Sequence, residues 1–475
     1  MKLTFWGAAR QVTGSMFMLE TDDDFRILID CGSDLDRSTE GSELPTNNHT
    51  GYFPFEASGI NLVLLTHAHI DHSGNLPNLY REGYEGQILC TEPTYALTEL
   101  LLRDSASLNQ RRLNDLARSK KQRVKKRFVE MQKELFLDKQ VTETMDNVVP
   151  IAFNRKFKVA DNVDVTFIQA GHLLGAAHIV VGVYEDGRRK TICFSGDIGR
   201  SNYPLLVNPD TVPPVDYLVC ESTYGNRLHV DQDAPETVLA DVIKRTCIDI
   251  PGRLIIPSFS VGRTQALLYT LNRLYSEHNF PAIKVFSDSP LGFESTKVYQ
   301  KNIRMLNKEA REFFDENETL FDFENFQFLE SSKASKEVSN YNEPCIIISS
   351  SGMVQGGRVE YHVANNISNP YSTIFIIGYC AEGTLGWRLL NGQPTISIKG
   401  KEQPVNARVE RTDVFSGHGD RDDLLRFVKQ QDPGKLQKVF LVHGEYSSMI
   451  AFQETLKEEG YAQVEIPKRG QSYPL

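Results

Sequence analysis

The sequence lacks long apolar runs, an amino-terminal secretory signal and paired cysteines. No window approaches the roughly 18 consecutive apolar residues that a membrane helix requires. The amino terminus has neither the apolar core nor the cleavage site of a signal peptide. The seven cysteines are scattered, odd in number and without any CxxC pair. These absences disfavour a membrane span, a disulfide framework and a thiolate zinc site, and they predict a cytoplasmic protein with reduced, mostly buried thiols.

An excess of positive charge is also missing, since the formal net charge is −10. This balance argues mildly against a protein that coats nucleic acid nonspecifically. A local exception is the run 111–127, in which nine of seventeen residues are basic and one is acidic. No Gly or Pro occurs between residues 94 and 149, so the run is predicted to lie on a long helix or a helix pair. A solvated helix face and a surface that follows phosphates explain this composition equally well.

Several short apolar runs each end in a polar residue that can carry chemistry. Runs of β-branched and aromatic residues predict buried strands, and helical patterns follow several of them. An α/β architecture carries its chemistry on loops at strand ends, so the repeated placement predicts that fold class. The strand-end residues are Asp30, His67, His172, Asp197, Glu221 and His443.

A chain of 475 residues is too long for one ordinary core, and two domains are expected. His418 and His443 lie more than 200 residues after Asp197. If they join the same site, the intervening block is an inserted domain. Segments 208–214 and 391–394 are rich in Pro, Asn or Gly, as linkers tend to be. The predicted division is 1–207 for the first domain, 208–393 for the insertion, and 394–475 for the return to the first domain.

The densest group of metal-binding residue types is "HAHIDH" at 67–72, with three histidines and one aspartate in six positions. Imidazole and carboxylate suit zinc and related divalent ions. Two ligand pairs on one loop predict two metals, completed by strand-end residues from elsewhere. The predicted first set is His67, His69 and His172, the second is Asp71, His72 and His443, and Asp197 bridges them. Such a pair of zinc ions can hold a bridging hydroxide.

Other residues are expected to stand outside the ligand set. Asp30 is predicted to orient loop backbone or a ligand imidazole from behind. The remaining histidines, apart from His418, receive no role in the metal site, and they are His49, His178, His229, His278 and His362.

The motif "HAHIDH" resembles the HxHxDH signature of the metallo-β-lactamase superfamily. "GHLLGAA" at 171–177 and "FSGDIG" at 194–199 are similar to its next two ligand motifs. The resemblance implies an αβ/βα sandwich fold. It leaves the substrate open, because the superfamily includes lactamases, glyoxalases, lactonases, oxidoreductases and nucleases.

Later motifs resemble those of the β-CASP nucleases, in the same order and over nearly the whole chain. They are "ESTYGNR" at 221–227, "PSFSVGRTQALLY" at 257–269, "DSPLG" at 288–292, "SSSGMVQGGR" at 349–358, "GYCAEGTLGWRLL" at 378–390, "FSGHGD" at 415–420 and "LVHGE" at 441–445. The likeness is to the RNA-processing branch, which includes the cleavage subunit of the mRNA 3′-end processing complex. It implies an inserted α/β β-CASP domain. A histidine at the position of His443 resembles the RNA-acting members rather than the DNA-acting ones.

The resemblance implies a zinc-dependent ribonuclease that hydrolyses RNA phosphodiester bonds with a two-metal-activated hydroxide, in RNA processing or decay. His418 is the expected general acid, Glu221 would orient its imidazole, and Asp71 completes the catalytic group. Glycine- and serine-rich turns, one of them ahead of a helix amino terminus, suit backbone contacts to phosphate. The expected phosphate contacts are Ser258, Arg263, Ser350, Ser351 and Gly352.

Three alternatives stay open at this point: a DNA-directed β-CASP nuclease, a small-molecule hydrolase of the same superfamily, and a noncatalytic scaffold subunit. The expected partner is RNA, with no membrane, and a homodimer is left open as an assembly. Endonuclease and exonuclease modes are not distinguished.

Overall fold

In a computed structural model, which describes residues 1–34, 52–118, 122–230, 233–277 and 280–475, the chain forms two units. Unit 1 comprises Met1–Ser201, Asn208–Leu228 and His418–Leu475. Unit 2 comprises Asn202–Val207 and His229–Gly417. The second unit is therefore an insertion in the sequence of the first, as the sequence predicted.

The strands alternate between the two units in three blocks. Unit 1 begins with β1 (Lys2–Phe5), β2 (Phe17–Glu20), β3 (Arg26–Ile29), β4 (Leu62–Leu64), β5 (Gln87–Thr91), β6 (Val148–Ile151), β7 (Lys156–Ala160), β8 (Val163–Gln169), β9 (Ala177–Glu185), β10 (Arg188–Phe194) and β11 (Tyr217–Glu221). Unit 2 contains β12 (Arg253–Pro257), β13 (Lys284–Asp288), β14 (Phe326–Phe328), β15 (Cys345–Ser349), β16 (Thr373–Ile376), β17 (Thr395–Ile398), β18 (Lys401–Pro404) and β19 (Arg408–Arg411). The return to unit 1 adds β20 (Lys438–Val442), β21 (Val464–Glu465) and β22 (Gln471–Pro474).

The helices follow the same three blocks. The first block holds α1 (Ile70–Ser73), α2 (Leu76–Arg81), α3 (Glu92–Ala117), α4 (Gln122–Glu134) and α5 (Asp138–Asp146). Unit 2 holds α6 (Pro235–Ile243), α7 (Arg263–Glu277), α8 (Pro290–Lys301), α9 (Lys308–Asn317), α10 (Ser332–Glu337), α11 (Val359–Asn366) and α12 (Leu385–Leu390). The return block holds α13 (Arg421–Val428) and α14 (Tyr446–Glu458). Helices α3 and α4 confirm the helix pair predicted for the basic run, although 119–121 lie outside the described residues.

Unit 1 consists of two seven-stranded sheets packed face to face. Their orders are β22-β1-β2-β3-β4-β5-β6 and β21-β20-β11-β10-β9-β8-β7. Alternate residues of each strand fill the space between the sheets, because successive side chains of a strand point to opposite faces. In β3, for example, Ile27 and Ile29 face this shared core, and Leu28 faces the other side of its sheet.

The outer faces of both sheets are covered by helices. Leu76 and Leu79 of α2 pack in the core cluster outside the first sheet. Outside the second sheet, α13 and α14 contribute Phe427 and Phe452. The order of layers is therefore helix, sheet, sheet, helix, which confirms the αβ/βα sandwich.

Unit 2 is built on one six-stranded sheet of order β14-β13-β15-β12-β16-β19, in which every pair is parallel. Its central strands read as nearly continuous apolar runs, such as "LIIP" and "CIIIS", which is typical of strands covered on both faces. Val363 of α11 and Leu389 of α12 pack into the same core cluster as Ile255 of β12. The inserted unit is thus α/β, as expected.

The unit boundaries lie further along the chain than the expected insertion 208–393. Strand β11 pairs with both β10 and β20 in unit 1, so 208–228 belong to that unit. Beyond residue 393, the hairpin β17–β18 places Ile396 and Ile398 in the core of unit 2. Strand β19 then pairs with β16, which keeps the chain in unit 2 until Gly417. The Pro-, Asn- and Gly-rich segments mark turns within units rather than the crossings between them.

Two further expectations concern the thiols and the membrane. All seven cysteines are among the described residues, and each is buried and free of a disulfide. Among the described helices, none combines the length and the apolar composition that crossing a bilayer demands.

Candidate metal centre

The motif at 67–72 lies on the loop between β4 and α1. Helix α1 begins at Ile70, so Asp71 and His72 stand in its first turn while His67 and His69 precede it. The loop is fastened to the chain that follows β3, because the Cys31 N–H donates to the His72 carbonyl at 2.7 Å. At Gly32 an added Cβ would lie 1.7 Å from the Asp71 carbonyl oxygen, so this close approach requires glycine.

The first predicted ligand set converges on a small volume of unit 1. His69 Nδ1 lies 3.1 Å from His67 Nε2 and 3.1 Å from His172 Nε2. Asp197 Oδ2 lies 3.5 Å from the first of those nitrogens and 3.4 Å from the second. One donor atom from each of these four residues fits within 4.8 Å of all the others.

The second predicted set converges beside the first. His443 Nε2 lies 3.4 Å from Asp71 Oδ2, and His72 Nε2 lies 3.3 Å from Asp197 Oδ1. Asp71, His72 and His443 each offer a donor atom within 4.8 Å of the other two. The rings of His67 and His72, one from each set, have centroids 4.1 Å apart.

Asp197 lies between the two sets with one carboxylate oxygen toward each. Oδ2 faces His67 and His172, and Oδ1 faces His72 and His443 at 3.3 and 3.6 Å. The side chain is 2% exposed. Oδ1 is buried and accepts no hydrogen bond from the described residues. Because a buried carboxylate oxygen without a partner is costly, this atom points to a cation as its partner.

Asp30 lies behind the second set. Its Oδ2 lies 2.7 Å from His72 Nδ1, the ring nitrogen that faces away from Asp197. Its carboxylate also accepts hydrogen bonds from the Thr66 backbone N–H and hydroxyl, each at 2.8 Å. Since a carboxylate only accepts, Nδ1 of His72 must carry the proton, and Nε2 keeps its lone pair for a ligand.

Burial and charge act in opposite directions on the histidines. Burial lowers the pKa of His69 to about 4, and burial together with His72 holds the pKa of His67 well below its ordinary value. Burial is the largest single influence on His72 and His443 and acts the same way, but Asp197 together with Asp30 at His72, and together with Asp71 at His443, raises the pKa of both. The imidazoles of His67 and His69 are therefore neutral, the form that coordinates a cation.

The carboxylates of the cluster stay ionised despite their burial. Burial alone would raise the pKa of Asp71 and of Asp197. A hydrogen bond with His443 holds the pKa of Asp71 well below its usual range, and the charges of His443, His72 and His67 do the same for Asp197. Imidazoles and ionised carboxylates form the donor set that a divalent cation prefers, so the residues present fit a metal, whose binding would displace any proton from the coordinating nitrogens.

A third group adjoins the clusters through Asp197. His418 Nδ1 lies 3.3 Å from both oxygens of Glu221 and 3.9 Å from Asp197 Oδ2. Glu221 is fully buried at the end of β11 and accepts hydrogen bonds from the Ile198 N–H and the Thr223 hydroxyl. His418 is 17% exposed, whereas the side chains of the other histidines measured against Asp197 are at most 3% exposed.

The five expected phosphate contacts fall on two neighbouring loops of unit 2. Ser258 and Arg263 lie between β12 and α7, and the other three lie between β15 and α11. A Cβ added at Gly352 would lie 2.5 Å from the Phe259 ring, so the loops touch. The Arg263 guanidinium lies 4.7 Å above the centroid of the same ring.

Hydroxyl groups line the meeting point of these loops. Ser289 Oγ lies 2.9 Å from Ser260 Oγ and 3.1 Å from Ser350 Oγ. The Ser351 hydroxyl donates to the Gln355 carbonyl, which closes its own loop. Ser258 is buried, and its hydroxyl accepts a bond from Thr264 and donates to the Phe259 carbonyl.

Two residues of the centre received no role in the sequence analysis. Thr66 bonds Asp30 and lies 3.1 Å from His67 Nδ1, and Thr223 donates to Glu221 and lies 3.0 Å from His443 Nδ1. Each follows or precedes a predicted residue by one or two positions, which is the only signal that could have found them.

The histidines without a predicted role lie elsewhere. His178, His229 and His362 stand outside the metal-binding groups of the described chain, and His49 and His278 lie outside the described residues. His362 is paired with Asp288, which is fully buried and also accepts bonds from Arg358 and Ser335. Burial would raise the pKa of Asp288, but His362, Ser335 and Arg358 hold it below its ordinary value.

Family models match three parts of the chain. A model of the metallo-β-lactamase superfamily matches residues 9–241, and a Beta-Casp domain model matches 264–389. A third model, described as a Zn-dependent metallo-hydrolase RNA specificity domain, matches 402–467.

Curated relatives match the chain over nearly all of its length. A ribonuclease of Thermus thermophilus is 30% identical over 100% of both chains. Transcription termination factor FttA of Methanocaldococcus jannaschii is 31% identical over 98% of this chain and 70% of its own. An RNase J-like protein of the same organism is 29% identical over 100% of this chain and 99% of its own.

We expect Asp30→Asn to weaken the affinity for a divalent metal by about 10- to 100-fold, because the amide cannot hold His72 in the same protonation state. The measurement is competition for bound metal against a chelator of known affinity. Asp164→Asn is the matched control, since Asp164 is also a nearly buried carboxylate but is bonded to Arg189. Equal losses in both variants would contradict a specific role for Asp30.

Proposed function

The chain belongs to the β-CASP family of the metallo-β-lactamase superfamily, and on that premise we propose that it is a zinc-dependent ribonuclease. The enzyme would hydrolyse RNA phosphodiester bonds at a two-zinc centre, in RNA processing or decay. Family membership itself establishes a metal-dependent hydrolase. The substrate, the identity and number of the metal ions, and the roles of individual residues are parts of the proposal.

The observation that carries the proposal is the Glu221–His418 pair beside the metal-binding groups. A hydrolase that needs only an activated water does not require a separate proton donor with a carboxylate to hold it. Cleavage of a phosphodiester requires a proton donor, because the leaving alkoxide must receive a proton. His418 meets this need, since its Nδ1 lies 3.9 Å from Asp197 Oδ2 and its side chain is 17% exposed.

The two ligand sets would hold the two ions. His67, His69 and His172 would bind one zinc and Asp71, His72 and His443 the other, with one oxygen of Asp197 for each. When bound, the zinc ions lower the pKa of water toward neutrality and offset the negative charge of the phosphate.

His418 is positioned to protonate the leaving oxygen. Its Nδ1 faces the carboxylate of Glu221, which can only accept, so Nδ1 carries a proton. Nε2 is then the atom left to face the substrate. As the bond between phosphorus and the leaving oxygen breaks, the Nε2 proton passes to that oxygen, and the ring returns to the neutral form.

Glu221 and Asp71 have different roles in the hydrolysis. Glu221 is held by the Ile198 N–H and by Thr223, so it fixes the ring of His418 rather than reaching the substrate. Asp71 is 22% exposed, which leaves its carboxylate able to accept a hydrogen bond from an attacking water. We therefore assign Glu221 a positioning role and Asp71 a double role as ligand and acceptor.

The loops of unit 2 supply phosphate contacts in this proposal. Arg263 has no carboxylate within salt-bridge distance among the described residues, although its guanidinium is only half-buried. Ser350 and Ser351 present hydroxyls, and Gly352 lets the backbone lie against Phe259. Ser258 is occupied by its internal bonds, and we propose that it supports the loop rather than the phosphate.

A cytoplasmic location is part of the proposal. Seven buried cysteines without a disulfide suit a reducing compartment. The sequence analysis left open that the chain forms a homodimer, and this assembly stays a prediction.

The substrate is tested with one RNA labelled at either end, beside DNA of the same sequence and thioester and lactone substrates. We expect cleavage of the RNA alone. Asp71→Ala should lower that activity by more than about 100-fold, because even residues behind metal ligands are worth 10- to 100-fold. A chelator should abolish cleavage and added zinc should restore it. Preferred hydrolysis of the thioester or lactone would replace the ribonuclease by a small-molecule hydrolase.

The role of His418 is tested by His418→Ala beside His443→Ala. We expect His418→Ala to keep its zinc and to lower kcat by about 10²- to 10⁴-fold, which is the range for a lost general acid. His443→Ala should lose both zinc and activity. Metal content is measured by elemental analysis of the purified variants, and zinc missing from His418→Ala would reassign that residue as a ligand.

The phosphate contact is tested by Arg263→Gln. We expect KM for RNA to rise by about 10- to 100-fold, in line with one lost bond to a charged group, and the zinc content to stay unchanged. Arg273→Gln is the matched control on the same helix, because Arg273 is held by Glu236 and Glu277. Similar KM values for the two variants would remove Arg263 from the substrate site.

A further inference from the structure

The basic run predicted from the sequence forms one end of a helix pair. Helices α3 and α4 pack against each other, and Arg111, Arg112 and Arg118 are exposed near the end of α3. Lys125 and Arg127 are exposed on α4. We call the part of α3 and α4 that carries these five side chains the basic helix pair. The metal centre and the phosphate-contact loops do not use any of them.

Most of this positive charge is not neutralised by neighbours. No carboxylate lies within 4.0 Å of Arg112, Lys125 or Arg127 among the described residues. Arg118 has one distant partner, Asp115 at 3.9 Å, and both side chains are about four-fifths exposed. Such an exposed pair contributes little energy and leaves the cation available.

The middle of α3 is neutralised and packed. Arg103 is bonded to Glu99 and to Asp138, each at 2.8 Å. Leu102 and Phe136 pack in one apolar cluster with Ile70, the residue beside Asp71 in the metal-site loop. The middle of α3 is therefore anchored beside the metal-site loop, and the exposed cations lie further along α3 and on α4.

The start of α3 is also tied to the loop that carries His172. The hydroxyls of Thr91 and Thr94 donate to the Gly175 carbonyl at 2.7 and 2.9 Å. From Glu92 to Arg111 the helix runs 19 residues, or about 28 Å at 1.5 Å per residue. This length corresponds to roughly eight nucleotides of stacked strand at 3.4 Å per nucleotide.

We propose that the basic helix pair binds the phosphate backbone of RNA outside the metal centre, at a distance of several nucleotides from the scissile bond. The proposal rests on the proposed function, because it takes RNA as the substrate. The contacts would be independent of sequence, since exposed Arg and Lys side chains on a helix surface bind phosphate oxygens rather than base edges. Long RNA would therefore gain affinity that short RNA does not.

Charge favours RNA over a protein partner for this surface. The whole chain carries a net charge of −10, so a polyanion is repelled except where positive charge is concentrated. Among the described side chains of α3 and α4, the large apolar ones that are exposed are Leu108 and Val129, one on each helix. Two isolated apolar side chains do not form the contiguous patch that marks a protein interface.

The test variant combines Arg112→Gln, Lys125→Gln and Arg127→Gln, because glutamine keeps the helix propensity and removes the charge. The matched control combines Arg155→Gln, Lys158→Gln and Arg188→Gln, three exposed cations of unit 1 that lie in or beside β7 and β10 of the second sheet. Both variants also carry His418→Ala, which slows cleavage during the measurement, and the protein with His418→Ala alone is the parent. Binding of a 30-nucleotide and a 6-nucleotide fluorescent RNA is measured by anisotropy over a range of salt concentrations.

We expect the test variant to bind the 30-nucleotide RNA about tenfold or more weakly at 0.1 M salt. Its slope of log affinity against log salt should fall by about 2, at 0.7 for each of three lost contacts on a single strand. The 6-nucleotide RNA should bind unchanged, and the control variant should match the parent on both RNAs.

Two results would overturn the proposal. Unchanged affinity and salt slope for the 30-nucleotide RNA would assign the surface to another partner, such as an acidic protein. Equal losses of affinity for the 30-nucleotide and the 6-nucleotide RNA would mean that the substitutions disturb the fold or the metal centre. If the His418→Ala protein binds long RNA through these residues but the wild type cleaves none, the ribonuclease proposal fails, and what stands of this one is RNA binding by the helix surface without a scissile bond.

Discussion

The constraint on which the rest of unit 1 depends is the burial of the Asp197 carboxylate among imidazoles. The side chain is 2% exposed, and each oxygen faces a different pair of histidines. A carboxylate so deep in a protein loses its hydration and is tolerated only where opposite charge or a metal compensates. One carboxylate then organises two groups of donors, and its second oxygen lacks a hydrogen bond within the described chain. The architecture of the unit can be understood as the means of bringing enough donors to that atom.

The two packed sheets provide these donors because their parallel strands end at the same edges. Asp30 follows β3, His67 follows β4, and Asp197 follows β10 in this arrangement, while His443 follows β20. Two of these residues adopt a backbone conformation unusual for their type, with φ of 57° at Asp30 and 50° at His443. Such positions cost about 1–3 kcal/mol each and persist where surrounding contacts fix them. The hydrogen bonds from Thr66 to Asp30 are contacts of this kind.

The α/β class and the donor types could be predicted from the sequence because both depend on local patterns, whereas the order of the layers came from the resemblance to the metallo-β-lactamase superfamily. Apolar runs that end in His, Asp or Glu identify strand ends without knowledge of strand order. Residues such as Thr66 and Thr223 could not be predicted, since a hydroxyl is common in loops and its partner is fixed only by the fold. The unit boundaries were missed for a related reason. Segments rich in Pro and Gly mark any turn, and the pairing of β19 with β16 decides that 394–417 belong to unit 2. Asp288 and His362 are 74 residues apart and their pairing has no local signal.

The charge distribution explains why such an enzyme needs cations away from its metals. Asp71, Asp197 and Glu221 concentrate negative charge where the substrate's phosphate must sit, and the whole chain is acidic. Bound divalent ions offset that charge only locally, because screening in physiological salt limits exposed charges to about 8 Å. A polyanion longer than a few nucleotides would therefore meet a repelling surface beyond the centre. In the proposed complex with RNA, exposed Arg and Lys side chains on a helix anchored beside Ile70 would remove that repulsion without placing a competing cation among the ligands. Electrostatics alone therefore favours a closed, carboxylate-rich centre with basic side chains exposed at some distance from it. In unit 1, the basic helix pair carries such side chains.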